Sequence, residues 1–378
     1  MLSLIYHLKG IEMHPVVVFI KNEQDPSSYY RIYQYLDKKD NVCFFKYVNK
    51  YMYRWYYDKN CDGFCKGIKK AVFAIVGIVR SSFFILYDEL FLKSKSVVIN
   101  RAIFPRIIPG LCAIMLDKYL NKRTVYWDFD DNIILEGEIT KRECEILERQ
   151  SEQIIVTHQY LVDTISKKYR DKVITLSTTD EEIKRFNCEE LIQSRSAHYN
   201  RKIILIWIGT KNNLEYLEEI LPQIDEAGRL IAKKTRKSII LKVISNKPLN
   251  CTNATNFKVQ NISWTREEAI SELKIAHIGL MPLKDDEYTR GKGGFKAVQY
   301  IGAGIPAIVS NVGFNSQVVE DSVNGRLVQN SEGWIQSIYD LSTNYEMWIQ
   351  NSRNARKKWE KDFNSDRNLE FWLELINK

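Results

Sequence analysis

Residues 277–310 constrain the fold of this chain more than any other segment. An apolar run at 277–282 leads to the loop Arg290-Gly-Lys-Gly-Gly294, a short helix closes at Gly302-Ala-Gly304, and a second apolar run follows at 307–309. The order of strand, glycine-rich loop, helix and strand is typical of an α/β unit with an anion site at the carboxyl end of its first strand. We therefore predict a parallel sheet here.

Three cations accompany the glycines of this loop. Arg290, Lys292 and Lys296 lie within seven residues of one another. Glycines let the main chain approach an anion closely, and guanidinium and ammonium groups could neutralise a diphosphate. On spacing alone, a solvated basic loop that ends in an ordinary helix cap is an equally good interpretation.

Apolar runs that alternate with helical patterns extend through the whole chain of 378 residues, which exceeds the usual size of one core. This alternation predicts parallel, doubly wound α/β sheets. The predicted strands are 16–20, 42–47, 96–100, 124–127, 153–156, 173–176, 203–208, 238–245, 257–259, 277–282 and 307–309. We predict an N-terminal domain over 1–185, a polar linker near 177–200, a second α/β domain over 200–345 and C-terminal helices over 346–378.

The segments His277-Ile-Gly-Leu-Met-Pro-Leu, Arg290-Gly-Lys-Gly-Gly-Phe-Lys-Ala-Val-Gln-Tyr-Ile-Gly-Ala-Gly-Ile-Pro and Asn324-Gly resemble the donor-binding half of GT-B glycosyltransferases. The bacterial group known as family one or family four is the most similar. This resemblance implies two Rossmann-like domains that face each other across a cleft, with a C-terminal helix crossing back to the first domain. It also implies a retaining, metal-independent enzyme without a cofactor.

The resemblance further implies the substrates. A nucleotide-diphosphate sugar would be the donor, and a glycan or a polyprenyl-diphosphate-linked molecule would be the acceptor. The expected products are bacterial surface polysaccharides such as capsule, exopolysaccharide or O-antigen.

Donor-site residues are assigned through this resemblance. Arg290, Lys292 and Lys296 would stabilise the charge that grows on the leaving diphosphate. The sequence departs from the family where two glutamates are usual, because Gly291 and Gln299 stand there. A Gln299 carbonyl oxygen can still accept a ribose hydrogen bond. The further donor-binding residues expected are Gly209, Thr210, Gly293, Gly294 and Phe295.

The segment Asp128-Phe-Asp130-Asp131 follows the predicted strand 124–127. By resemblance we expect Asp130 and Asp131 at the catalytic centre and Asp128 on the acceptor side. Asp128 and Asp130 also match the DxD motif of metal-dependent GT-A transferases, whose carboxylates hold a divalent cation. A solvated turn that caps the next helix is a third interpretation.

Four more residues are candidates for the acceptor side. Asp25 and Pro26 have the spacing of a helix start, and Ser27, Ser28 and Arg31 follow them. His158 follows the predicted strand 153–156 and is expected to face the same edge.

Charge is unevenly distributed. Residues 1–127 contain 20 lysines and arginines against 10 acids, although the whole chain has a net charge of +8. Basic and aromatic residues are mixed in 44–87, which fits either an anionic membrane surface or a core helix with solvated lysines. We expect no nucleic-acid partner, because no recognition module is present.

The seven scattered cysteines and the absence of a secretory signal predict a cytoplasmic protein that can lie on the inner face of the cell membrane. The missing glutamates leave open a non-catalytic GT-B-like protein that binds nucleotide or glycan.

Overall fold

The computed structural model describes residues 14–57, 63–104, 106–251 and 254–377. The chain forms two compact units. Unit 1 contains the described residues up to Thr178 together with the segment from Asp366 onward, and unit 2 is Thr179–Ser365. Each unit is built on one six-stranded sheet, and every pairing in both sheets is parallel.

The sheet of unit 1 has the strand order β2-β1-β3-β4-β5-β6. Its strands are β1 (Val16–Ile20), β2 (Val42–Lys46), β3 (Ser96–Asn100), β4 (Thr124–Phe129), β5 (Ser151–Val156) and β6 (Val173–Thr175). The main helices of the unit are Pro26–Leu36 with a π-helical turn at Tyr29–Tyr33, Lys50–Tyr57, Gly63–Tyr87 with a π-helical turn at Asp88–Leu92, Gly110–Leu120, Lys141–Gln150, Gln159–Thr164 and Ser365–Ile376.

Both faces of this sheet are covered by helices. Val17 and Phe19 of β1 pack into a core that also contains Ile85, whereas Val18 and Ile20 pack on the other face with Trp372. Burial on both faces explains why these strands are continuous apolar runs in the sequence.

The sheet of unit 2 has the strand order β12-β11-β10-β7-β8-β9. Its strands are β7 (Lys202–Gly209), β8 (Ser238–Ser245), β9 (Lys258–Ser263), β10 (Ile278–Met281), β11 (Ala307–Ser310) and β12 (Gly325–Val328). Its helices are Glu181–Lys184, Cys188–Tyr199, Leu214–Glu219, Leu221–Thr235, Arg266–Ile275, Glu287–Arg290, Phe295–Gly302, Asn315–Val318, Ser331–Thr343 and Tyr345–Asp362, with a 3₁₀ turn at Lys211–Asn213.

The predicted α/β class with two parallel, doubly wound sheets is confirmed. The polar segment predicted as a linker, 177–200, forms two helices with the N-caps Asp180 and Asn187. Its polar residues have structural roles: Arg195 is buried and donates to the carbonyl oxygens of Leu273 and Gly304.

Three predicted element boundaries also change. Asp128 lies inside β4 rather than after it, since the strand continues to Phe129. The helical pattern of residues 214–232 is interrupted at Ile220, and the second helix begins at Leu221 with Pro222 in its first turn. Arg290 closes the short helix Glu287–Arg290 instead of lying in an open loop, because Asp286 and Thr289 form a capping box there.

Candidate active site

The strand orders identify one edge in each sheet where a ligand is expected. In doubly wound sheets, ligands bind outside the carboxyl ends of the strands, where the chain connection reverses direction. This switch point lies between β1 and β3 in unit 1 and between β7 and β10 in unit 2. Most of the predicted site residues lie at one of these two edges, and we describe each edge by itself.

The centre of the unit 1 edge is a buried ion pair between Arg31 and Asp128. Both side chains are fully buried, and the Arg31 guanidinium donates two hydrogen bonds from Nε, at 3.1 and 3.2 Å, and another from Nη2 to the carboxylate. The Asn100 side chain donates to Asp128 Oδ2 at 3.0 Å. Burial alone would lower the pKa of Arg31, but the Asp128 carboxylate outweighs it and the pKa is raised.

The π-helical turn at Tyr29–Tyr33 positions Arg31 for this pairing. Trp372 Nε1 donates to the Arg31 carbonyl oxygen at 2.8 Å, which satisfies a main-chain acceptor in the turn. Arg31 Nη1 reaches the carbonyl oxygen of Leu176 beyond β6. Arg31 therefore links β4 to the chain beyond β6. The acceptor-side role expected of Arg31 and Asp128 stays a prediction, and the structure shows both side chains fully buried as partners of one another.

A second guanidinium group, that of Arg101, forms ion pairs with the remaining acids of this edge. Arg101 donates to Asp130 Oδ1 at 2.7 and 2.9 Å, to Asp131 Oδ2 at 2.9 Å and to Glu138 Oε2 at 2.8 Å. Its φ of 63° is left-handed, a strained conformation for a side chain of this size. Burial opposes the charge, yet Asp130 and Glu138 hold the pKa of Arg101 well above its ordinary value.

Sequence reasoning missed Arg101 and Glu138. A signal for Arg101 was present, because it directly follows β3 at the same edge as the acids after β4. Burial by itself would raise the pKa of Glu138. The positive charges of Lys21 and Arg101 outweigh this effect, and the pKa of Glu138 is lowered.

The two predicted serines join this network. Ser27 Oγ donates to Asp130 Oδ1 at 2.6 Å and accepts from Arg101 Nε at 2.9 Å, and Ser28 Oγ lies 3.0 Å from Asn100 Oδ1. Asp25 caps the helix as predicted, accepting from the Ser28 amide at 3.3 Å. The serines therefore bind protein groups at the switch point.

His158 is buried beside the same edge. Its Nδ1 lies 2.8 Å from Thr157 Oγ1, which donates to the Asp130 carbonyl oxygen at 2.9 Å. Because the Thr157 proton is used in that bond, His158 Nδ1 is the donor to Thr157. Burial raises the pKa of Asp130, and Arg101 only partly opposes this effect.

The structure brings together all seven residues predicted for this edge: Ser27, Ser28, Arg31, Asp128, Asp130, Asp131 and His158.

The unit 2 edge is organised mainly by main-chain features. The helix Phe295–Gly302 begins after Gly294, whose φ is +63° and which has no side chain to cap the first amides. A Cβ at Gly294 would lie 2.9 Å from the Phe314 ring. Both the left-handed conformation and the close packing therefore require glycine at this helix start, where the amide groups favour an anion.

Lys292 lies two residues before Gly294, directly ahead of this helix start. Its Nζ is 4.0 Å from the centroid of the Tyr288 ring. Burial raises the pKa of Tyr216, in the helix that follows β7, and the positive charge of Lys292 partly opposes that rise.

Tyr300 bridges β7 and β10 at this edge. Its hydroxyl accepts from the Ile208 amide at 3.1 Å and donates to the Leu280 carbonyl oxygen at 3.3 Å. Its ring occupies the space above Gly279, where a Cβ would lie 2.4 Å from the ring. Sequence reasoning did not identify Tyr300, and the only local signal is its position two turns into the helix.

Gly209 and Thr210 lie at the carboxyl end of β7 as predicted. Close packing explains why residue 209 is a glycine, since a Cβ there would lie 2.3 Å from the Trp207 ring. Thr210 is exposed and accepts from the Asn213 side chain at 3.3 Å.

Two polar residues of unit 2 have protein partners at this edge. Gln299 is buried, and its Nε2 donates to Asp180 Oδ2 at 3.0 Å. Burial raises the pKa of Asp180 to about 6, although the bonds from Gln299 and the Glu182 amide oppose this. A glutamate at 299 would place a second carboxylate against Asp180, which explains why an amide fits this fold.

Arg290 is exposed and is paired with Asp285 through bonds of 2.6 and 3.0 Å. The main chain of Arg290 packs against Gly313, whose φ is +55°. Lys296, Gly293 and Phe295 lie in and before the first turn of the helix Phe295–Gly302.

The comparisons with known proteins bear on unit 2 first. Residues 202–344 match the model of the family described as glycosyl transferases group 1. Over this segment the chain is similar to group 1 glycosyltransferases, and the predicted resemblance and the predicted enzyme class, a glycosyltransferase, are confirmed by this match. The matched segment includes both strands of the switch point and the helix start after Gly294.

Solved structures extend the likeness to both units at the level of the fold. The structure of Alr3699/HepE from Anabaena in complex with UDP has a TM-score of 0.63 at 9% identity, with 96% of this chain and 99% of that chain covered. The UDP-forming α,α-trehalose-phosphate synthase from Burkholderia xenovorans has a TM-score of 0.59 at 11% identity, with 97% and 100% covered.

A third solved structure is TarM from S. aureus, in complex with fondaparinux, α-GlcNAc-glycerol and UDP. Its TM-score is 0.52 at 14% identity, with 80% of this chain and 59% of that chain covered. A comparison with curated protein sequences finds no significant match. The GT-B fold predicted from the sequence is confirmed.

The GT-A alternative does not fit this fold. Its proposed metal ligands, Asp128 and Asp130, are bound by Arg31 and Arg101 respectively. In the described part of the chain, no three His, Cys, Asp or Glu side chains are grouped in a way that could hold a metal ion. The predicted metal independence of the reaction remains a prediction.

Proposed function

We propose that this protein transfers a sugar from a nucleotide-diphosphate sugar, bound by the glycosyltransferase domain, to a glycan or lipid-linked acceptor bound by unit 1. The observation that carries the proposal is the helix start after Gly294, which follows β10 in the segment that matches the group 1 family and has Lys292 two residues before it. Amide groups at a helix start and a nearby ammonium group favour a diphosphate.

The first donors to test are uridine nucleotides. The structures of Alr3699/HepE contain UDP, UDP and glucose, or UDP-glucose, and that of TarM contains UDP. Gln299 is the residue we assign to the ribose: its Nε2 is used by Asp180, and its carbonyl oxygen is the atom that would accept a ribose hydroxyl.

The chemistry follows from where charge grows during transfer. When the bond between the sugar and the diphosphate breaks, negative charge develops on the leaving oxygen, and donors aimed at it lower the barrier. We assign this role to Lys292, Lys296 and the amides that follow Gly294, with Arg290 at the rim of the site. Such stabilisation needs no metal ion. Retention of the anomeric configuration is an expectation taken from the resembled family.

On the acceptor side we assign the acids that Arg101 holds. Asp131 is the most exposed of its carboxylate partners, at 28% of its side chain, and is suited to accept a bond from an acceptor hydroxyl. Asp130 and His158 lie behind it in the network.

We further propose that the protein acts in the cytoplasm, at the inner face of the membrane, in the synthesis of bacterial surface polysaccharide.

A second candidate function is binding of a nucleotide or glycan without catalysis. It is favoured by one observation: the position usually occupied by the first family glutamate is Gly291, which has no side chain to contact the transferred sugar. The two candidates share the nucleotide site and differ only in turnover.

The test is to incubate the purified protein with UDP-, GDP-, ADP- and dTDP-sugars and to measure release of nucleoside diphosphate, with and without EDTA. Turnover that survives EDTA and is lost in Lys292→Ala is the expected result. Lys284→Ala is the matched control, because Lys284 is an exposed lysine of the same edge that is paired with Glu219 at 2.5 Å. Binding of a nucleotide sugar without any turnover would support the second candidate, and turnover that EDTA abolishes would contradict metal independence.

A further inference from the structure

The long helix of unit 1 has two different faces. The helix Gly63–Tyr87 continues through the π-helical turn to Leu92. One face packs into the core through Phe73, Gly77, Ser81, Ile85 and Asp88, which recur every three or four residues. This spacing is that of a single helical stripe.

The opposite face is apolar but exposed. Six large side chains on this face and in the turn after it are between 51% and 64% exposed: Ile75, Val79, Phe83, Leu86, Leu90 and Phe91. We call these six residues the apolar face. Single exposed apolar residues are ordinary, whereas a contiguous row of this length marks a surface for a partner.

A neighbouring helix adds to this surface. In Gly110–Leu120, Leu111 is 83% exposed and Ile114 is 49% exposed. The two helices are in contact, since Ser82 Oγ lies 3.7 Å from Cys112 Sγ. Two adjacent helices of one unit thus present bulky apolar groups outward.

Cations lie at the ends of both helices. Lys70 is exposed near the start of the apolar face, Lys93 and Lys95 are exposed just after its end, and Lys118 is exposed in the last turn of the neighbouring helix. Glu89, an acid of the same stretch, is paired with Lys122 at 2.6 Å and with Arg123 at 2.9 Å. The charge around the face is therefore positive.

We propose that the apolar face and the flanking lysines form a docking surface for an anionic lipid bilayer. Apolar side chains with lysines at the margin match the boundary between acyl chains and anionic headgroups. This inference rests on the proposed function, because the acceptor that docking would bring to the enzyme is a lipid-linked molecule. The surface itself is defined by the exposure of its residues.

The segment Gly67–Leu92 is also long and apolar enough to cross a membrane. Its contacts favour a helix that lies on the bilayer instead. Ser81 Oγ donates to the Ile103 carbonyl oxygen at 2.6 Å, and Asp88 accepts from the hydroxyls of Tyr119 and Ser94 at 2.7 and 2.6 Å. A spanning orientation would break these buried bonds and place the Asp88 carboxylate in hydrocarbon.

The test is flotation of the full-length protein with vesicles of phosphatidylcholine alone or mixed with phosphatidylglycerol. We expect binding to the mixed vesicles that weakens with added salt. The double substitution Leu86→Gln and Leu90→Gln should reduce the partition coefficient roughly ten-fold or more, since each removes a partly buried leucine from the lipid boundary. Lys93→Glu with Lys95→Glu should reduce it further, by roughly five-fold or more per residue.

The matched control is Ile275→Gln with Val323→Gln, two apolar residues of unit 2 that are 41% and 44% exposed. It should bind vesicles like the parent. Calorimetry with UDP, repeated on every variant, reports whether unit 2 is folded and tests the donor site separately. Loss of vesicle binding with unchanged UDP affinity supports the lipid surface whether or not the chain proves to be a transferase.

Four results would overturn the proposal. The first is no flotation with mixed vesicles at low salt, and the second is equal flotation of the leucine variant and the parent. The third is a concentration-dependent dimer in sedimentation that the leucine variant loses while vesicle binding is unchanged, which would make the face an interface between copies. Resistance of the bound protein to alkaline carbonate extraction would instead indicate a spanning helix and contradict the docked orientation.

Discussion

The carboxyl edges of the two sheets use opposite means to place polar groups. In unit 1, Arg31 and Arg101 bind a set of carboxylates, so charged side chains hold one another in position. In unit 2, the helix start after Gly294 and the capping box of Asp286 and Thr289 set the geometry mainly through the main chain. The acid-rich edge suits hydroxyl groups and would repel a diphosphate, whereas the basic, amide-rich edge suits one.

This difference predicts different responses to mutation. Substitutions in the buried network of ion pairs should mainly change the free energy of unfolding. Substitutions at the edge built from amides and lysines should mainly change the affinity for a ligand.

The largest effect is expected for Asp128→Asn. It leaves the fully buried Arg31 guanidinium without its carboxylate, and removing one partner of a buried pair costs about 3–5 kcal/mol. Urea unfolding followed by tryptophan fluorescence measures the change. The control, Asp285→Asn, removes the partner of the exposed Arg290 and should leave unfolding unchanged. Equal unfolding free energies for Asp128→Asn and the parent would contradict a structural role of the pair.

A smaller effect, on affinity rather than stability, is expected for Lys292→Ala and Lys296→Ala. Each should weaken UDP binding by about 1.5–3 kcal/mol if a charge-assisted hydrogen bond to a phosphate oxygen is lost. Isothermal titration calorimetry gives the affinities, with Lys284→Ala as the control that should bind like the parent. Unchanged affinity in both variants would remove these lysines from the phosphate site.

The smallest effect is expected for Asp180→Asn, and it depends on pH. The pKa of Asp180 is raised from 3.8 to about 6 in the folded protein, so its contribution to stability is fully present below pH 4 and is lost as the pH rises through 6. The asparagine Oδ1 can keep the bond from the Glu182 amide, and its Nδ2 can donate to Gln299 Oε1 once the Gln299 amide turns over, so both contacts are made without a charge. The variant should gain about 1–3 kcal/mol over the parent at pH 8.

Thermal unfolding at pH 4 and pH 8 checks the sign of this prediction. At pH 4 the two proteins should unfold at similar temperatures, and at pH 8 the variant should be the more stable. A variant that is less stable at pH 8 would show that an ionised Asp180 is required in the folded state.

The sequence alone determined the architecture and the place of the glycine-rich loop. Both rest on local patterns: apolar runs of three to eight residues that alternate with helical periods, and glycines clustered with lysines after one of those runs. Such patterns determine which residues face a core and where a parallel strand ends. For that reason the residues expected at the unit 1 edge do lie together, although their roles there were assigned only by resemblance.

Only the tertiary structure decided which charged groups pair and which are exposed. Arg31 and Asp128 are 97 residues apart in the chain, and Asp180 and Gln299 are 119 residues apart. No local period connects residues at such distances, and Arg101 was missed because a single arginine after a strand has no sequence signature of its partners. The position of the apolar face was also decided only by the tertiary structure. The helix 63–87 is apolar nearly all round, and only its packing shows which side is buried. Periodicity specifies elements, whereas long-range pairing depends on how those elements are brought together.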